Sequence, residues 1–159
     1  YKINIKYFTW GGLICLFPSK YKDNSENSTG LLFMRVFNKW HSIIKKELKK
    51  WDITQPQFVV LTSLAYLLQE EDEVTQIMLS KISGIDVMTI SQIINLLEKN
   101  GFIERKQHSK DTRANSVFLT LKGQNILEKA VPLVENIDDN FFNILAEKEQ
   151  LFRELLKKL

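Results

Sequence analysis

The stretch TQIMLSKISGIDVMTISQIINLLEKNGFIERKQHSKDTRANSVFLTL, residues 75–121, decides the fold. Thr75 is a good helix N-cap, and Leu79 and Ile82 are the inward positions of a short helix over 76–83. Gly84-Ile85 makes a tight turn. Asp86 caps a second helix running to Asn100, in which Ile90, Ile93, Ile94 and Leu97 recur at helical spacing on one side. Gly101 takes the position where a left-handed residue ends a helix. Two helices joined by a short Gly-containing turn make a helix-turn-helix. Past Gly101 the period shortens. Phe102–Lys106 and Asn115–Leu121 predict two strands, with Val117, Leu119 and Leu121 alternating against Phe118 and Thr120, around a polar loop at His108–Ala114. A helix-turn-helix followed by a β-hairpin is a winged helix.

The flanks add long helices. Phe33, Val36, Phe37, Trp40, Ile43, Ile44 and Leu48 lay an apolar stripe along a helix over about 30–50, with Lys39, Lys45, Lys46 and Lys49 opposite. Its length invites a partner helix. Thr54, Pro56 and Gln57 spell a capping box with proline in the first turn, which opens a helix to about Gln69. Its inward set is Phe58, Leu61, Leu64, Ala65 and Leu68, and the acidic run Glu70–Glu73 after it suits a solvated loop. Downstream, Ile126, Leu127, Ala130, Val134, Ile137 and Phe141 predict a helix from about Lys122 to Leu145. Pro132 is expected to kink that helix. Leu151, Leu155, Leu156 and Leu159 share one face of a last helix over 147–159. The fold expected is mainly α with a small β-hairpin. Its parts are an N-terminal extension and linker (1–29), a dimerisation helix (30–50), a winged helix-turn-helix (51–121) and C-terminal dimerisation helices (122–159).

Composition narrows the chemistry. The 159 residues carry a formal charge of +3, unevenly placed: residues 1–50 hold ten Lys/Arg against three Asp/Glu, and the remainder twelve against sixteen. A nucleic-acid surface must therefore be local. Cys15 is the only cysteine, and His41 and His108 the only histidines. That excludes an intrachain disulfide framework, argues against a metal centre, and suits a reducing cytoplasm. No cofactor is expected. There is no glycine-rich phosphate loop, nucleophile elbow or Cys/His pairing with an orienting third group, so an enzyme is not expected either. The apolar stretch Tyr7–Phe17 is too short to span a membrane, for which about 20 residues are needed, and no clear small-residue cleavage site follows it. Residues 1–20 read as a packed or partner-bound extension.

Two groups of residues suit DNA. On helix 87–100, Met88, Gln92 and Asn95 lie one turn apart opposite the isoleucines, flanked by Thr89 and Ser91. Gln and Asn can pair with adenine, Thr and Ser with base edges or phosphate, and Met with a thymine methyl. A polar helix face is ordinarily only solvated. Its position after a helix and a turn, and before a hairpin, reverses that default. In the loop, Arg105, Lys106, Lys110 and Arg113 stand against Asp111, and at a hairpin tip they can reach phosphate or the minor groove. Arg113 has the planar fork suited to a narrow groove, with Asp111 as its orienting partner.

These same segments resemble the MarR (multiple antibiotic resistance regulator) family of transcriptional regulators. DTRANSVFLTLKG (111–123) is similar to the family's wing signature, Asp-x-Arg followed by a strand and Leu-Thr-x-x-Gly. LSKISGIDVMTISQIINLLEKNGFIER (79–105) resembles its recognition segment, and ITQPQFVVLTSL (53–64) its second helix. The resemblance covers about residues 30–159 and implies a homodimer with entwined terminal helices. It places Met88, Thr89, Ser91, Gln92 and Asn95, with Lys110, Asp111 and Arg113 in the wing, against a pseudo-palindromic double-stranded operator. It also implies a small aromatic or anionic effector, for which Phe37, Trp40, His41, Phe58 and Tyr66 are candidates, although core packing suits those aromatics too. Residues 1–20 have no counterpart in the family pattern. Cys15 lies well before the position at which the family's peroxide sensors carry their cysteine. The function expected is a dimeric sequence-specific regulator, usually a repressor relieved by a ligand. The alternative is a winged-helix module that binds protein instead of DNA.

Overall fold

The computed structural model describes residues 7–10 and 13–159, and side chains from Phe17 onward. The expected extension over 1–20 lies partly outside the described residues, and the Cys15 side chain wholly so. The chain divides into two compact units, residues 1–40 and 41–159.

In the first unit, β1 (Tyr7–Trp10) and β2 (Leu13–Leu16) pair antiparallel, with Phe8 opposite Cys15. A turn and a short 3-10 helix, Ser25–Asn27, lead into α1 (Thr29–Leu48). Leu31, Leu32, Phe33, Met34, Val36 and Phe37 of α1 are all exposed.

The second unit holds the main core. α1 ends there with Ile44 and Leu48 buried, and a 3-10 turn, Lys49–Trp51, closes on Asp52 at φ 55°. α2 (Gln55–Leu67) starts at the capping box read from the sequence: Thr54 Oγ1 accepts from the Gln57 amide at 3.4 Å, and the Gln57 side chain accepts from the Thr54 amide at 2.9 Å. Val60, Leu61 and Leu64 of α2 are fully buried. β3 (Val74–Thr75) precedes α3 (Gln76–Ser83), which ends at Gly84. α4 (Val87–Lys99) presses Ile90, Ile93, Ile94 and Leu97 into the core. Each such side chain contributes about 1.5–3 kcal/mol of burial. β4 (Ile103–Gln107) and β5 (Asn115–Leu119) form the wing, and β3 adds to it as a third antiparallel strand in the order β3-β5-β4. The sheet is thus larger than the two-stranded hairpin expected, because two residues are too few to show a period. Ile82 is exposed instead of inward, and Leu79 alone anchors α3. Leu121 is exposed as well: the wing strand stops at Leu119, and Thr120 turns the chain by capping α5.

α5 (Leu121–Phe142) is one helix with Pro132 inside it, and Leu127, Ala130 and Val134 are its buried side. It ends three residues before the expected limit. A 3-10 segment, Asn143–Lys148, follows, in which Ala146 takes φ 46° and breaks the run before α6 (Glu149–Leu156). α6 buries no residue.

One seam ties the end of α4 to the start of α5. Three successive carbonyls are each held from across it. Asn100 O accepts from Lys122 Nζ at 2.8 Å, Gly101 O from Thr120 Oγ1 at 2.7 Å, and Phe102 O from the Thr120 amide at 3.1 Å. Gly101 makes the reversal possible with φ 73°, a conformation costly for a residue with a Cβ. Gly123 is required by proximity, since a Cβ there would sit 2.1 Å from Phe102 O.

Candidate nucleic-acid interface

Asp86 organises the entry to α4. Its carboxylate accepts from the Thr89 amide at 2.9 Å and from the Thr89 hydroxyl at 2.6 Å. These bonds, the hydroxyl first, hold the Asp86 carboxyl below its ordinary range, so the cap is ionised at neutral pH. Thr89 therefore spends its proton on the cap and offers a partner only its oxygen lone pair and its methyl. Met88 is 77% exposed, and Gln92 and Asn95 are exposed too. Ser91 is half-buried at the edge of this face. The isoleucine stripe turns the other way, so packing leaves the polar face uncovered.

The wing is braced at two points. At its base, the Arg105 guanidinium donates to Glu98 of α4, with Nε 3.0 Å from Oε2 and a second, shorter bond from Nη2. That hydrogen bonding lowers the Glu98 pKa and raises that of Arg105. At its tip the anchor is Glu73, from the loop before β3. Its carboxylate accepts from the Ser109 amide at 3.0 Å, from the Ser109 hydroxyl, and from the Ser116 hydroxyl at 2.9 Å. The Ser109 bonds, hydroxyl first, hold its pKa below the ordinary value of 4.5. His108 Nδ1 accepts from the Lys110 and Asp111 amides at 3.1 and 3.3 Å, which puts the imidazole proton on Nε2.

Glu73 thus belongs to the wing and not to a merely solvated loop, and the acidic run alone carried no sign of it. Its partners lie 36 and 43 residues downstream.

On this frame Asp111 accepts from the Arg113 amide at 3.0 Å and lies 3.5 Å from its guanidinium. The Arg113 side chain remains 91% exposed, and Lys110 is exposed beside it. Lys106 folds back instead, onto Glu104 at 2.7 Å and over the Phe118 ring. The tip therefore presents Lys110 and Arg113 on a backbone held from within.

The five candidate effector residues differ in their surroundings. Phe58 is only 8% exposed. It packs in the core of the second unit, in line with its inward position on α2. Tyr66 is 63% exposed on α2. Phe37 and Trp40 stack at 6.0 Å between ring centroids, and His41 Nδ1 bonds the Gln55 side chain.

Residues 53–114 match the MarR family model. An uncharacterised HTH-type transcriptional regulator of Bacillus subtilis, YdcH, is 37% identical over 133 residues, covering 82% of this chain and 90% of the relative. The chain belongs to the MarR family. It is a MarR-type transcriptional regulator and not an enzyme. Among solved structures, a mutant MarR of Escherichia coli complexed with operator DNA is 28% identical with a TM-score of 0.73, covering 81% of this chain and 91% of that one. A Staphylococcus aureus MepR–DNA complex, 23% identical over 85% of this chain and 96% of that one, shares the fold at a TM-score of 0.74. The MarR winged helix-turn-helix is thus the architecture that carries the α4 face and the wing. Among the described residues no single helix is long and apolar enough to cross a membrane.

Proposed function

We propose that the chain works as a homodimer that binds a pseudo-palindromic double-stranded operator and represses transcription until a small ligand releases it. One observation carries the DNA-binding part: the polar face of α4 is uncovered, and a braced hairpin beside it displays Arg113 almost fully to solvent. Met88, Gln92 and Asn95 read base edges in the major groove, with Ser91 and Thr89 at the margin. Arg113 and Lys110 engage phosphate or the adjacent minor groove, with Asp111 holding Arg113 in place. That a 28% identical E. coli relative is known in complex with operator DNA supports DNA binding as the use of this fold.

Support for pairing comes from the ends of the chain. Leu31, Leu32, Phe33, Val36 and Phe37 of α1 and Leu151, Leu155 and Leu156 of α6 are apolar and exposed in one chain. Apolar surface of that extent marks an interface. Two-fold pairing sets two recognition helices about 34 Å apart, on half-sites about ten base pairs apart.

Selection of bound duplexes from a random pool, at several salt concentrations, tests this reading. It expects a symmetric motif, and an affinity that falls steeply as salt rises. A pool that stays random, or a chain that sediments as a monomer at the concentrations where it binds, overturns it. Binding to another protein through α4 with no salt-sensitive DNA affinity is the outcome that points to an interaction module instead.

A further inference from the structure

Asp86 and Thr89 share two hydrogen bonds at the entry to α4. The Thr89 amide donates to Asp86 Oδ1 at 2.9 Å, and the Thr89 hydroxyl lies 2.6 Å from Asp86 Oδ2. An ionised carboxylate has no proton and can only accept, so in the second bond the hydroxyl must donate. A hydroxyl carries one proton and two lone pairs. With the proton committed to Asp86, Thr89 can meet a partner only as an acceptor. Among the described residues nothing donates to its oxygen, and Thr89 is exposed. Thr89 stands three residues before Gln92, which makes the two neighbours on the exposed side of the helix. The negative charge of Asp86 one turn earlier disfavours a phosphate at this end of α4 and favours a group that donates. In the major groove adenine and cytosine offer such a donor, the N6 or N4 amino group, whereas guanine and thymine turn acceptors toward the protein.

We propose that Thr89 is a specificity-determining residue that selects an amino-bearing base, adenine or cytosine, and that Asp86 is the positioning residue that sets this choice by holding the hydroxyl proton. Asp86 touches no base and acts through Thr89. Guanine or thymine at the same position would set acceptor against acceptor and leave both without a partner on drying the interface. This role of Thr89 rests on the DNA-binding reading above and adds to it the polarity of one contact.

Asp86→Asn reverses that polarity. The Thr89 amide fixes the flip of the new carboxamide, because it needs an oxygen opposite it. The Nδ2 group then takes the place of Oδ2 and donates to Thr89 Oγ1, which releases the hydroxyl proton toward the groove. Asparagine caps helices as well as aspartate does, so α4 keeps its start.

The test selects duplexes from a random pool with the full-length natural protein, Asp86→Asn, Thr89→Val and Thr89→Ser at one salt concentration. The natural protein is expected to hold one position in each half-site to adenine or cytosine. Thr89→Ser keeps the hydroxyl and should keep that preference, and Thr89→Val, of the same shape without it, should lose it. Under Asp86→Asn, guanine and thymine at that position should gain at least about fivefold over adenine and cytosine, the weight of about one hydrogen bond. A merely structural Asp86 would change the affinity for all sequences together and leave the motif as it was. An Asp86→Asn motif identical to the natural one therefore overturns the role of Asp86. A Thr89→Val motif that retains every base preference overturns the role of Thr89, even if Asp86→Asn fails to fold. Both results leave the DNA-binding reading standing. A pool that stays random with the natural protein overturns that reading and the role of Thr89 with it.

Discussion

α4 and α6 are both strongly amphipathic, and from their residues alone their apolar faces look equivalent. In α4 the stripe Ile90, Ile93, Ile94 and Leu97 is buried within the chain, and the polar face is left to solvent. In α6 the stripe Leu151, Leu155 and Leu156 is exposed, and no residue of the helix is buried. The contrast separates two uses of one pattern. α4 is completed by its own lobe, so its free surface is the polar one, available to DNA. α6 leaves Leu151, Leu155 and Leu156 free, and in the proposed homodimer a second copy covers them. The hairpin differs from both: Ile103 and Val117 anchor its base in the core, and ionic and hydrogen-bonding braces to Glu98 and Glu73 hold the rest.

The largest effect expected of breaking this contrast comes from α6. The double substitution L151E/L155E puts charge on the free stripe and should convert dimer to monomer in sedimentation. Operator affinity should fall at least about 100-fold, because the second half-site no longer adds avidity. Unchanged mass would remove α6 from the interface. The corresponding cut in α4, Ile94→Ala, acts on the lobe itself. It should lower stability by about 2–5 kcal/mol in denaturant unfolding, and a smaller loss would mean that the surrounding side chains collapse into the space.

Substitutions on exposed surfaces are milder. Arg113→Ala should weaken DNA binding for all sequences alike and reduce the salt slope by about one; an unaltered slope would show that the guanidinium meets no phosphate. Gln92→Ala should instead relax preference at one base position, with about 1–3 kcal/mol of discrimination lost there, and an identical selected motif would take Gln92 out of the reading set.

The smallest effect concerns the wing brace. Glu73 has its pKa lowered in the fold, so its ionised form contributes stability that is fully present above the ordinary value of 4.5. That contribution is lost as pH falls through the lowered folded value. Glu73→Gln should therefore be less stable than the natural protein at neutral pH, and the gap should close on acidification below about 4.5. A gap that stays constant with pH would mean that the charge of Glu73 does not matter.

Much of this protein was legible without coordinates. The order of helices, the capping box at Thr54, the N-caps at Thr75 and Asp86, the turn at Gly84, the stop at Gly101 and the wing all follow from contacts between residues three or four apart, or alternating. Such signals are written within a few positions of where they act. The polar face of α4 was readable for the same reason, as the remainder once the isoleucines are assigned. Only the tertiary structure decided that Glu73 braces Ser109 and Ser116, that Glu98 holds Arg105, and that Lys122 and Thr120 clasp the end of the recognition helix. Packing also decided that β3 joins the sheet. These outcomes depend on where separate elements come to rest, and a local repeat has no way to encode a neighbour brought from dozens of residues away.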